Sequence, residues 1–160
     1  MEALYKNFFR KKSNSDPVLK ALEGIPIFEN LLKKELKNIA HLTHEREYKS
    51  NEYVFKKHAP AEGMYVILDG EIKIKDPKSG NIFANLHSGD FFGELALLDE
   101  EPRSASAICT VHSRLIGFFR TDLLTLINRY PELGNKILLN LSRVLGERLR
   151  ETNKNIIKSK

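Results

Sequence analysis

With 160 residues, 41% of them hydrophobic and 29% charged, the chain is long enough for one domain with a real core plus flanking helices, and too apolar for wholesale disorder. Its single cysteine, Cys109, excludes an intramolecular disulfide, and its place in the apolar run from Ala105 to Val111 points to a buried, reduced thiol in a cytoplasmic protein. The net charge of +5 sits at the ends, +3 over residues 1–20 and +4 over 143–160, which leaves −2 across 21–142 and excludes a central basic groove for nucleic acid.

Taken from its start, the chain shows no charged-then-apolar leader and no apolar run near the ~20 residues that span a bilayer. Leu4, Tyr5, Phe8 and Phe9 share one face of a short predicted helix over Met1 to Lys12, a face suited to a membrane surface or a partner protein and expected first to pack on its own domain. The turn cluster Ser13-Asn14-Ser15-Asp16-Pro17 ends it. Val18 to Glu23 predicts a second short helix and Ile25-Pro26-Ile27-Phe28 an apolar loop. Leu31, Leu32, Leu36, Ile39, Ala40 and Thr43 then recur at helical spacing. His41 and His44 stand three apart on that helix, a zinc-ligand spacing with no third ligand nearby, so surface histidines are expected.

From Glu45 the period changes. Tyr48, Tyr53 to Phe55, Met64 to Leu68, Ile72 and Ile74, Ile82-Phe83 and Leu86 form short β-rich runs, with turn clusters at 60–63, 76–80 and 88–90. Asp69-Gly70, between two such runs, is a two-residue hairpin signal. Residues 106–110 and 114–119 return to strands. Regular short strands with glycine turns predict an antiparallel β-roll of the jelly-roll or barrel kind. A helix is expected from about Thr121-Asp122 to Tyr130, and a second from Pro131 to about Asn155, with Ile137, Leu138, Leu141, Val144, Leu145 and Leu149 as its apolar stripe. The fold class is therefore α+β, a β-roll flanked by N-terminal helices and two C-terminal helices.

The chemistry concentrates in Gly89 to Ala107. Gly93 lets backbone approach a ligand, and Glu94 is a carboxylate at the start of a short apolar helix. Arg103 follows Pro102, which restricts the backbone beside it. An ionised carboxylate only accepts hydrogen bonds, which suits a sugar hydroxyl; a guanidinium presents a planar fork that matches two phosphate oxygens. Read singly, Glu94 is as well a helix cap and Arg103 half of a surface ion pair; the two in one frame favour a ligand carrying both a hydroxyl and a compact anion.

Phe92-Gly93-Glu94-Leu95-Ala96-Leu97-Leu98, three acidic residues, then Pro102-Arg103-Ser104-Ala105 resembles the phosphate-binding cassette of cyclic nucleotide-binding domains, as in catabolite activator protein and protein kinase A regulatory subunits. The likeness in element order covers about residues 18–155. It implies a ligand-binding domain over 18–155, with its β-roll at about 45–120 and helices at about 121–155, an N-terminal helical extension over 1–17 and a basic tail over 156–160. It further implies that Glu94 takes the ribose 2′-hydroxyl, that Arg103 takes the cyclic phosphate, and that Gly93, Leu95, Ala96, Ser104 and Ala105 complete the site. Ile82, Ala84 and Phe92 are the candidates for the base pocket.

On this reading the protein is a ligand-driven switch and not an enzyme, with no cofactor or metal and cyclic AMP preferred to cyclic GMP as ligand. The chain stops at Lys160, too soon for the helix-turn-helix DNA reader that follows in catabolite activator protein, so if these 160 residues are the whole product the expected effector is a protein; the resemblance also implies that the C-terminal helix can pair in a homodimer. A cyclic GMP-selective binder, a ligand-free β-roll acting as an interaction module, and a cupin-like metalloenzyme are the alternatives. The last needs clustered histidines, whereas His58, His87 and His112 are scattered. The absence of Walker and Gly-x-Gly-x-x-Gly motifs removes nucleotide-hydrolysing and dinucleotide readings.

Overall fold

The computed structural model describes residues 16–159, so the amphipathic segment expected over Met1 to Lys12 lies outside the described part. Asp16 accepts the Val18 N–H at 3.0 Å and Pro17 takes the first helical position, which starts α1 (Pro17–Glu23). The expected loop at Ile25 to Phe28 is instead a 3-10 turn over Pro26–Phe28, because burying Ile27 and Phe28 side by side requires its backbone to satisfy itself. In α2 (Lys33–Leu42), the Glu35 carboxylate accepts the Leu32 N–H at 2.7 Å and closes the first turn. This helix stops at Leu42, which corrects the placing of His41 and His44 on one helix. His44 opens a strand, stacks on Phe119 with ring centroids 5.1 Å apart, and puts Nε2 3.5 Å from Asp122.

Eight strands follow: β1 (His44–Tyr48), β2 (Tyr53–Phe55), β3 (Gly63–Asp69), β4 (Glu71–Lys75), β5 (Ile82–His87), β6 (Phe91–Phe92), β7 (Ser106–Cys109) and β8 (Ser113–Phe119). They form two antiparallel four-stranded sheets, in the orders β1-β8-β3-β6 and β2-β7-β4-β5, facing each other as a roll. The Asp69-Gly70 hairpin does not form. β3 pairs with β6 and β8, β4 pairs with β5 and β7, and the chain passes from one sheet to the other at Gly70. The cause is visible in the residues. In β3, Met64 and Val66 enter the core shared with the helices while Tyr65 and Ile67 enter the core between the sheets. β4 alternates, with buried Ile72 and more exposed charged neighbours, so it fits a sheet with one wet face. The hairpin that does form joins β4 to β5 through Asp76 to Asn81.

Two helices close one side of the roll: α3 (Arg120–Arg129) and α4 (Pro131–Lys158), the second running three residues past the expected end. Leu123, Leu126, Leu133, Ile137, Leu141 and Val144 join Leu22, Ile27, Phe28, Ile116 and Phe118 in the helix-side core. At roughly 1.5–3 kcal/mol per fully buried large apolar side chain, this packing holds the helices on the sheet. α3 meets α4 at backbone distance: a Cβ on Gly134 would lie 2.7 Å from Ile127 Cγ1. Cys109 is buried between the sheets, and burial pushes its thiol pKa up. Among the described residues no helix is long and apolar enough to cross a membrane.

Candidate functional site

Between the β-roll, the segment from Phe91 to Ala105 and α4 lies a cavity of about 410 Å³. Gly93 and the 3-10 helix Glu94–Leu97 form one wall, Pro102 to Ala105 another, and Phe55, Ile74, Ala84 and Leu86 of β2, β4 and β5 the apolar floor. Gly93 turns the chain into that wall at φ +77°, a left-handed conformation that costs other residues energy; a Cβ there would also stand 2.7 Å from Arg103 Nη1. Glycine is thus required twice over, by backbone shape and by the guanidinium beside it.

Arg103 is 7% exposed. Its Nη2 donates to the Gly63 carbonyl at 2.6 Å and its Nη1 to the Gly93 carbonyl at 3.3 Å, while Nε is buried and donates to nothing. The guanidinium lies 4.0 Å from the centroid of Phe55, which is itself packed with Tyr65 and Phe92. Its own backbone is pinned, the N–H donating to Ala59 at 2.9 Å and the carbonyl accepting from His58 at 2.8 Å. Burial pulls the arginine pKa down, against Tyr65, Glu62 and Glu94, but an arginine stays charged in any protein setting. Among the described residues no carboxylate comes within ion-pair distance of it. A buried cation held only by carbonyls and an aromatic face, beside an open cavity, gives that wall a positive potential that favours anionic groups.

Glu94 is 5% exposed and faces the same cavity. Its Oε1 accepts a hydrogen bond from Arg148 Nη1 of α4, and the Arg148 guanidinium lies 4.8 Å from the Phe91 ring centroid. Sequence reasoning missed Arg148. A signal existed: it continues the buried stripe of Ile137, Leu141 and Val144 at helical spacing, a charge where the pattern asks for an apolar side chain.

The cavity brings together Gly93, Glu94, Leu95, Ala96, Arg103, Ser104 and Ala105, with Ala84 and Phe92 among the apolar lining. Leu95 lines it while remaining 57% exposed. Ile82 is not brought in: it stands at the start of β5, 52% exposed and outside the lining, beyond a register shift that pairs Ile74 with Ala84 but Lys75 with Ile82 and so breaks the alternation that turns Ala84 and Leu86 inward. Asp99 and Glu101 also line the cavity. Among the described residues no group of three or more His, Cys, Asp or Glu side chains is arranged to hold a metal ion.

Comparison with known proteins places the fold in a family. The sequence profile of the cyclic nucleotide-binding domain matches residues 45–130. The chain is 32% identical over 133 residues to a cyclic AMP receptor protein of Thermus thermophilus, a match covering 81% of this chain and 60% of that protein. A cyclic nucleotide-binding domain from Methylobacillus flagellatus KT superposes with a TM-score of 0.76 at 26% identity, over 90% of this chain and 83% of that one. The catabolite activator protein of Thermus thermophilus superposes with a TM-score of 0.73 at 30% identity, over 82% of this chain and 62% of that one. The chain thus spans 60% of the receptor's length. A β-roll with this cassette, this buried cation and these relatives belongs to the cyclic nucleotide-binding domain family.

Proposed function

We propose that the cavity binds cyclic AMP and that occupancy switches the position of α4 against a protein partner. The observation that carries this reading is the buried Arg103 guanidinium with no carboxylate partner among the described residues, facing the cavity that Glu94 also lines. The ring phosphate bonds to Arg103, Ser104 and the backbone N–H groups of Gly93, Leu95, Ala96 and Ala105, while the ribose 2′-hydroxyl donates to Glu94. A carboxylate has room for several donors, so Glu94 holds the hydroxyl and Arg148 together, and ligand arrival is read directly by α4. The base lies on the apolar floor with Ala84 and Phe92. The cavity size is in the ordinary range for small-ligand sites of roughly 300–1,000 Å³.

Support for cyclic AMP over cyclic GMP comes from a relative that matches most of this chain and is named a cyclic AMP receptor protein. A linear 5′-nucleotide brings a second negative charge to a wall that carries Asp99 and Glu101, and binds worse. A ligand that favours one state by about 3 kcal/mol shifts the populations about 150-fold, enough for a switch. The exposed Leu139, Leu149, Ile156 and Ile157 of α4 offer the apolar surface for the partner or for a second copy.

Calorimetric titration with cyclic AMP, cyclic GMP and 5′-AMP tests this. Cyclic AMP should bind most tightly, and Arg103→Ala should weaken it by about 100-fold, the scale of two charge-assisted hydrogen bonds. Silence of folded wild-type protein toward both cyclic nucleotides would overturn the reading.

A further inference from the structure

The first residue of α3 reaches back onto the cavity wall. Arg120 Nη1 donates to three carbonyls, Ala61 at 3.1 Å, Ala96 at 3.0 Å and Asp99 at 2.6 Å, and Nη2 donates to the Glu100 carboxylate at 3.2 Å. Its backbone N–H donates to the Glu62 carbonyl at 2.8 Å, so the residue is anchored at both ends. Ala61, Ala96 and Asp99 all line the cavity. Glu100 is 84% exposed at its side chain, so that ion pair contributes little. The three carbonyls are the stronger matter. Their oxygens, each carrying partial negative charge, converge within hydrogen-bonding distance of one nitrogen, an arrangement that needs the cation between them.

We propose that Arg120 is the positioning residue that transmits the state of the cavity wall to the C-terminal helices. The chain of contacts is closed. Arg120 ties the 3-10 helix Glu94–Leu97 and Asp99 to the first turn of α3; α3 meets α4 through Ile127 and Gly134; α4 returns through Arg148 to Glu94. Any tightening of the wall around an anion moves the Ala96 and Asp99 carbonyls, and the guanidinium that they share moves with them. Arg120 need not touch the ligand to do this. The transmitted signal rests on the proposed cyclic nucleotide reading, whereas the bracket itself is a property of the free chain, so the two are tested apart.

Hydrogen exchange of the ligand-free protein tests the bracket. In Arg120→Gln the amides of residues 94–100 should exchange about tenfold faster, as expected when hydrogen bonds of this kind are lost, while β3 and β8 keep their protection. The signal is read by a distance between spin labels on Lys78→Cys, in the β4–β5 turn, and Lys154→Cys, near the end of α4, both exposed positions. Cyclic AMP should change that distance in the otherwise wild-type chain and leave it unchanged in Arg120→Gln, although the variant still binds with less than about tenfold loss. Arg120→Lys keeps a cation but loses the planar fork, and should show both effects at smaller amplitude, which keeps the test readable if the glutamine variant does not fold. Wild-type exchange in residues 94–100, or a wild-type distance response, in both variants would overturn the proposal. If no cyclic nucleotide binds wild-type protein, the function reading falls and the exchange result alone decides the bracket.

Discussion

Gly93 shows how one position serves backbone and site together. At φ +77° an alanine pays for the left-handed conformation, and its Cβ would press on the Arg103 guanidinium from 2.7 Å. Gly93→Ala should therefore lower stability by about 1–2 kcal/mol in urea unfolding. It should also weaken cyclic AMP binding at a concentration where the protein is still folded, because Arg103 must shift to make room. Unchanged affinity with reduced stability would mean that the guanidinium finds an equally good place. At this scale the sequence was legible wherever residue type and spacing state the chemistry. Glu94, Arg103 and Gly93 are recognisable in order, since a carboxylate, a guanidinium and a glycine have few roles in such a frame. Arg148 was not, because its partner lies 54 residues away and only the fold brings the two together. Ile82 falls outside the cavity for a reason that the period-two pattern does not carry: it shares the parity of Ala84 and Leu86, but a register shift against β4 separates it from them.

The elements hold their places through polar contacts that the hydrophobic pattern does not reveal. Asn140, 7% exposed within α4, donates from Nδ2 to the carbonyls of Ile27 at 3.2 Å and Glu29 at 2.9 Å, at the end of the 3-10 turn Pro26–Phe28. It fastens the N-terminal helical layer to the last helix, across 113 residues of sequence. Asn140→Ala leaves both carbonyls short of a donor and opens a small space, so a loss of about 2 kcal/mol in urea unfolding is expected. A loss under about 0.5 kcal/mol would show that water replaces the amide. Helices with caps and periodic stripes were legible in the sequence to within a few residues. The Asp69-Gly70 turn was not, because turn chemistry is local, whereas the choice of sheet depends on which faces of β3 and β4 are buried. The uninterrupted apolar run of Met64 to Leu68, against the alternation of Ile72 and Ile74 with lysines, held that information.

For the whole molecule, the buried and paired titratable groups set a stability window in pH. Burial pushes up the pKa of Tyr48, Tyr65 and the Cys109 thiol, so each is neutral in the fold and harder to ionise than in the open chain. Their contribution is fully present below the ordinary values of 9.0 for the thiol and 10.0 for the phenols, and is lost as pH rises through the higher folded values. The carboxylates act in the opposite sense. Asp76 is held below the usual range by Lys57 and Ser79; for Glu35 burial is the largest single influence and pushes upward, but the Leu32 amide and Lys136 together outweigh it and hold the carboxyl low. Their contribution is present above the ordinary values of 3.8 and 4.5 and is lost as pH falls through the lower folded values. The urea midpoint should accordingly be flat between about pH 5 and 8 and fall on both sides. Cys109→Ala lowers the plateau by opening a small cavity, and removes the earliest of the alkaline titrations. In that variant the alkaline fall should begin nearer the phenol value than the thiol value. A midpoint that rose between pH 8 and pH 10 would contradict the inward placement of all three groups, because ionising a thiol or phenol inside this roll can only weaken it.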